Sequence, residues 1–163
     1  MDTPQKVEIP ESHRIRDSLQ MVWVLKGNTL FSVPFSSNVE PVTICSVPCT
    51  DTESHDEQKG SLIYLGLKGV DLCLFCAEIQ GHPTLQLKEK KIMDLHEEKS
   101  AQKPFLFLRG IEGSTSTFQS VAYPGWFIAT SSTVGQPVIL TNERGKTYNT
   151  NFYFSPEELI RPR

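Results

Sequence analysis

No run of roughly 18 apolar residues occurs anywhere in the sequence, so no segment has the length and apolarity to cross a bilayer as a helix. Charge of one sign is also scarce. Sixteen Lys and Arg against nineteen Asp and Glu leave a formal net charge of -3. That balance argues against holding nucleic acid or an acidic membrane on a basic face. The opening residues, MDTPQKVEIPESHRIRD, hold two prolines and eight charged or His positions and lack an apolar leader core. We therefore expect no secretory signal peptide and a chain made as a soluble cytosolic protein.

The signatures of catalysis are missing too. There is no HExxH pair, no GxSxG elbow and no glycine-rich phosphate loop. His13, His55, His82 and His96 sit in or beside polar stretches, where an exposed imidazole is the default reading. A thiol nucleophile at Cys49 with His55 stays formally open, because the exposure and pKa that activate a thiol are not legible in a sequence. Basic residues interleaved with aromatics, the pattern that stacks bases, are absent.

The four cysteines fall in two close pairs, Cys45 with Cys49 and Cys73 with Cys76, and close pairs are what a tetrahedral thiolate site uses. LCLFCAEI, however, reads as an extended strand, which points Cys73 and Cys76 to opposite faces instead of converging them on a metal. Buried free thiols acting as small hydrophobes are the expectation. If the protein acts outside the cell, these thiols become candidates for oxidation.

With 38% hydrophobic residues in 163, the chain can bury one core of its own. The apolar residues fall in short runs rich in Val, Ile, Leu and Phe, separated by Gly, Pro, Asn and Ser. An all-β fold is predicted, with strands at 21–26, 29–34, 42–47, 62–67, 72–79 and 84–89. The second half continues with 104–109, 116–122, 126–130, 137–141 and 151–154. Tight reversals are expected at Lys26-Gly27-Asn28, Gln80-Gly81-His82-Pro83 and Tyr123-Pro124-Gly125. They make hairpins of MVWVLKGNTLFSVP, LCLFCAEIQGHPTLQLKE and FQSVAYPGWFIATS, a structural rhyme at intervals of about 50 residues. Residues 48–61 and 88–103 are charge-dense connections, the second with one helical turn around Met93 to His96. The segment before Ile15 is expected to be disordered in isolation, and so is the terminal ELIRPR.

Phe118, Ser120, Pro124, Phe127, Ile128, Ala129, Thr130 and Val138 resemble the signature of the interleukin-1 cytokine family. HPTLQLKEKKIMDL, KPFLFL, STSTFQSVAYPGWFIATS and GQPVILT resemble its interleukin-36 subfamily. IRDSLQMVWVLKGNTL and DLCLFCAEIQG are similar to the beta-type branch of that subfamily. The resemblance implies a β-trefoil over residues 15–155, in which three repeats of four strands give a six-stranded barrel capped by hairpins. Residues 1–14 would be a flexible segment partly removed on maturation, and 156–163 a short tail. In this picture Trp126, Phe127 and Ile128 plug the junction of barrel and cap.

The implied activity is extracellular signalling by a monomer that lacks enzyme activity and needs no cofactor or metal. It would bind the interleukin-36 receptor, recruit the interleukin-1 receptor accessory protein and trigger NF-kappa-B and MAP kinase signalling. Unconventional export would carry it out of the cytoplasm. Trimming by a processing protease is implied about nine residues before a triplet that here is Ile15-Arg16-Asp17, so the mature start is Lys6. For receptor contact the sequence offers Arg144, Lys146, Tyr148, Asn149, Thr150 and Asn151 around Gly145, Tyr and Arg being frequent interface anchors. A solvated polar hairpin loop is the competing account. Lys68 to Asp71 and Arg109 to Glu112 are secondary candidates. An antagonist on the same scaffold, or a carbohydrate- or heparan-binding trefoil, is the alternative function.

Overall fold

The computed structural model describes residues 9–51, 60–145 and 147–157. Each apolar run becomes a pleated strand, and the chain passes through three similar units. The first runs β1 (Glu11–Asp17), β2 (Met21–Lys26), β3 (Thr29–Pro34) and β4 (Thr43–Pro48). The second runs β5 (Ser61–Leu67), β6 (Leu72–Ile79), β7 (His82–Glu89), a short helix α1 (Ile92–Glu97) and β8 (Leu106–Glu112). The third runs β9 (Thr115–Ser120), β10 (Phe127–Ser131), β11 (Gln136–Pro137), β12 (Ile139–Thr141), β13 (Tyr148–Asn149) and β14 (Phe152–Pro156).

Antiparallel pairing links β1 to β4, β4 to β5, β5 to β8, β8 to β9, β9 to β14 and β14 back to β1. Six strands thus close a barrel, and closure removes the exposed edges on which sheets aggregate. The hairpins β2–β3, β6–β7 and β10–β12 form the cap. This is a β-trefoil.

In every unit the chain crosses from barrel to cap through one paired position: Arg16 with Val22, Gly66 with Cys73, and Gln119 with Phe127. The residues just before the barrel-side partner are Ile15, Leu65 and Phe118. Those just after the cap-side partner are Trp23, Leu74 and Ile128. All six are at most 4% exposed and meet in one core. An aromatic chain runs through it: His13 stacks on Phe154 at 3.9 Å, Phe154 meets Phe118 edge-on at 5.0 Å, and Phe152 meets Trp23 edge-on at 5.5 Å. A second cluster, with Tyr64, Cys73 and Phe105, lies under α1, which buries Leu95. Cys76 belongs to the first core and Cys73 to the second, the opposite faces that a spacing of three imposes on a strand. All four cysteines are free and buried.

Several expectations are corrected. Residues 11–14 are ordered strand, because β1 is held on one side by β4 and on the other by β14. Polar composition alone could not announce pairing with strands distant in sequence. Likewise β14 extends to Pro156, and Glu157 binds Lys68 at 2.6 Å and Thr43 at 3.0 Å. The third cap hairpin is β10 with β12, whereas the Tyr123-Pro124-Gly125 turn joins a barrel strand to the cap, as the Ser18-Leu19-Gln20 turn does in the first unit. Finally, Ile128 alone of the WFI run is fully buried; Trp126 is half-buried, and Phe127 turns outward because alternate residues of a strand face opposite ways. Residues 52–59 and 158–163 lie outside the described chain, so the polar loop around His55 and the terminal ELIRPR are not placed.

His13 is not a loop histidine. It is 3% exposed on β1, and its Nε2 lies 3.7 Å from the Glu11 carboxylate. Burial first, and the neighbouring Arg109 second, hold its pKa down at about 4 against an ordinary 6.5. A base depressed in this way takes up more protons unfolded than folded between those values. Its contribution is therefore fully present above pH 6.5 and is lost as pH falls toward 4. At roughly 1.4 kcal/mol per pKa unit the loss is up to about 3 kcal/mol. Urea unfolding at pH 7 and near pH 4 should show this decline, and His13→Gln should flatten it; an equal decline in the variant would assign the effect to other groups.

Candidate receptor-binding surface

Between β12 and β14 the chain reverses at Gly145, whose φ of +74° meets open space. Backbone conformation, not crowding, therefore asks for glycine there. Arg144, just before it, organises the loop. Its Nη2 donates to Glu112 Oε1 at 2.6 Å, its Nε to Thr150 Oγ1 at 3.3 Å, and its guanidinium lies 4.8 Å from the centre of the Phe127 ring. Asn151 Nδ2 donates to the same Glu112 oxygen at 2.8 Å and to Thr115 Oγ1 at 3.0 Å. The hydrogen bonds from Arg144, then from Asn151, hold the Glu112 carboxyl below the usual carboxylate range. Two parts of the chain far apart in sequence, the last loop and the tip of the β8–β9 hairpin, thus become one surface.

Arg144, Tyr148, Asn149 and Asn151 are brought together there. Tyr148 and Asn149 pair with Ser131 and Thr130 of β10, and Ser18 Oγ donates to Asn149 Oδ1 at 3.3 Å. Thr150 is only 2% exposed, so its side chain supports the loop from within and does not present itself to a partner. Lys146 lies outside the described residues. Of the secondary candidates, Lys68 is engaged by Glu157 at 2.6 Å. Arg109 is half-buried, donates to Ser116 Oγ at 2.9 Å and stacks 4.9 Å from Phe154, which makes it a brace of the barrel wall. Ile111 beside it is 66% exposed.

A second feature escaped the sequence reading. Arg14, Arg16, Gln20, Val22, Phe35 and Val42 take part in lining a groove of about 440 Å³. The strand alternation of β1 puts Arg14 and Arg16 outward while His13, Ile15 and Asp17 go inward. Phe35 is 62% exposed, a large apolar ring held at the surface beside two cations. Arg16 donates to Gln20 and lies 4.8 Å from the centre of the Tyr153 ring, so its position is fixed. The signal was present as H-R-I-R-D, an alternating pattern that becomes legible only once 11–17 is known to be strand.

The Ile15-Arg16-Asp17 triplet therefore has three structural assignments. Ile15 is in the core and Arg16 lines the groove. Asp17, 0% exposed, accepts from Leu19 N at 2.9 Å, Met21 N at 3.0 Å and Thr130 Oγ1 at 2.7 Å. Lys6 lies outside the described residues. The signature residues Phe118, Ser120, Ile128, Ala129, Thr130 and Val138 are all buried, whereas Pro124 is exposed and Phe127 half-buried. Among the described residues no group of three or more His, Cys, Asp or Glu is placed to hold a metal.

The family model for interleukin-1 / 18 matches residues 36–154, more than half of the chain. The chain belongs to the interleukin-1 family. It is 59% identical over 149 residues to mouse interleukin-36 beta, a match spanning 91% of this chain and 81% of that protein. Human interleukin-36 alpha is 47% identical over 152 residues, 93% of this chain and 96% of its own. The NMR structure of the pro-inflammatory cytokine interleukin-36alpha superposes with a TM-score of 0.79 at 46% identity, covering 96% of this chain and 99% of the other. This interleukin-1 family chain is thus a cytokine similar to interleukin-36 members, and its relatives are not enzymes. The loop around Arg144 lies within the stretch that the family model matches; the groove-lining Arg14, Arg16 and Phe35 precede it.

Proposed function

We propose that this cytokine is an agonist of the interleukin-36 receptor, which it binds outside the cell before recruiting the interleukin-1 receptor accessory protein. The reading rests on the likeness to interleukin-36 proteins along nearly the whole chain. Nothing is turned over; the mechanism is association. Bringing two receptor chains together brings their cytoplasmic domains together, and NF-kappa-B and MAP kinase signalling follow.

The chain offers two surfaces for this, the Phe35 groove and the Arg144 loop, and the Ser18–Asn149 hydrogen bond ties the turn after β1, whose Gln20 lines the groove, to the strand that ends the loop. A receptor interface of ordinary size buries roughly 800 Å² on each partner. Exposed aromatic and arginine side chains held in place are the usual anchors of such interfaces. The chain leaves the cytoplasm by an unconventional route and acts as a monomer. A protease then trims it to start at Lys6, and the residues removed would otherwise crowd the receptor.

The test is binding of full-length and Lys6-start protein to immobilised interleukin-36 receptor ectodomain, with and without the accessory chain, beside a reporter readout. The Lys6-start form should bind better with the accessory chain and should signal. Equal potency of the two forms would sink the trimming idea. Binding without recruitment would make the protein an antagonist, and no binding would leave only the fold in common. In the same assay Phe35→Ala and Arg144→Ala should each weaken binding about tenfold or more, the scale of an anchor worth at least roughly 1.4 kcal/mol. Unchanged affinity in both would move the receptor to another face.

A further inference from the structure

Among the described residues three buried side-chain polar atoms have no hydrogen-bond partner, His13 Nδ1, Trp23 Nε1 and Ser32 Oγ, and the last two lie in one hairpin. In the β2–β3 hairpin Trp23 lies directly opposite Ser32, so their side chains share one face. That face is the inner one, and both residues are 0% exposed. The indole Nε1 of Trp23 and Oγ of Ser32 each lack a hydrogen-bond partner among the described residues. The Gly27-Asn28 turn makes Lys26 and Thr29 the closing pair of the hairpin. Counting back by alternation, Trp23 and Ser32 form a non-hydrogen-bonded pair, the kind whose side chains come closest. Their own carbonyls are already used, Trp23 O by Val42 N at 2.9 Å and Ser32 O by Gly135 N at 2.9 Å.

Apart from His13 Nδ1, which stands alone beside the Phe154 ring, other buried polar side chains of this core find partners. Buried Asp17 and Thr130 satisfy each other at 2.7 Å, and the Ser120 hydroxyl accepts from Tyr123 N at 3.1 Å. An indole N–H can only donate, whereas a hydroxyl both donates and accepts. One molecule that accepts from the first and donates to the second completes both, and water is the species that native cores use for this.

We propose that a single buried water molecule is a fixed component of the cap, accepting from Trp23 Nε1–H and donating to Ser32 Oγ. The first repeat then differs from the other two, whose equivalent inward positions are the wholly apolar Leu74 and Ile128. The hairpin that carries Phe31 and Val33 and leads to the Phe35 side of the groove is seated through this water.

The test is a water-selective NOE experiment on uniformly ¹⁵N-labelled full-length protein, with Trp126→Phe to assign the two indole signals. The Trp23 Hε1 proton should show a cross-peak to water, at least severalfold weaker in Ser32→Ala. No cross-peak in the unsubstituted protein, or one of equal strength in Ser32→Ala, overturns the proposal. Should Ser32→Ala fail to fold, a high-resolution crystal structure of the unsubstituted protein decides. Density within hydrogen-bond distance of both atoms supports the bridge, and a dry, well-ordered site overturns it.

Discussion

Asp17→Ala should lower the unfolding midpoint by roughly 10 °C. The side chain is 0% exposed and accepts three hydrogen bonds, two from the backbone of the turn that follows it and one from Thr130 across the molecule. Truncation leaves the buried Met21 N–H and the Thr130 hydroxyl unpaired. Each buried polar group left in that state costs about 1–3 kcal/mol, and bonds to a charged acceptor are at the upper end. A total of about 3–5 kcal/mol follows, which for a chain of this length moves the midpoint by roughly 2–4 °C per kcal/mol. Asp17→Asn separates the causes. Its carbonyl oxygen can take the place of Oδ1 and keep both backbone donors, while its amide donates to the Thr130 oxygen. It should cost less than half as much. Calorimetry on the three proteins checks this; equal melting of Ala and Asn variants would show that the hydrogen bonds are not the source. Gln20, at φ +66° with its N–H bonded to Asp17 O at 3.0 Å, sits in the same turn and lines the groove. The stability of the fold and the shape of the proposed receptor surface thus depend on one carboxylate.

Phe118→Ala should cost about 3–5 kcal/mol, the range for removing a buried aromatic ring and leaving a cavity. Phe118 is 0% exposed and packs edge-on against Phe154 at 5.0 Å and beside Phe152 at 6.3 Å, so its loss loosens two paired barrel strands, β9 and β14, at once. Phe127→Ala, in the same stretch of sequence, should cost well under half of that, since its ring is half-buried and its partner is the Arg144 guanidinium at 4.8 Å. Urea midpoints of the two variants compare them directly. If Phe127→Ala proved the more damaging, the outward cation–π contact would be carrying stability that the core was assigned. A loss of receptor binding in Phe127→Ala without loss of stability would instead mark the Arg144 loop as a surface that works only when held in place.

Why Phe118 and Phe127 differ could not be read from FQSVAYPGWFIATS. Both are phenylalanines near a Pro-Gly turn, and local alternation does not say which face of a strand meets the core. The same limit hid β1, whose polar residues look like a tail until β4 and β14 close around them. It hid the true third hairpin as well, because β10 pairs with β12 across a connection that carries no two-residue turn signal. Of the proposed receptor surface, the polar run after Thr141 was visible as a candidate, but not that Thr150 points inward or that Glu112 at the tip of the β8–β9 hairpin binds the run directly.

What the sequence determined by itself is local: strands of period two, reversals such as Gln80-Gly81, both residues at positive φ, and buried thiols on opposite faces of one strand. These rest on interactions among residues near one another in the chain, where side-chain alternation and turn conformation are nearly independent of context. Which strands close the barrel, which faces turn inward and which charged groups meet were decided only by the tertiary structure. Burial and pairing energies arise between segments far apart in sequence, and their sign at a given residue depends on what arrives opposite it.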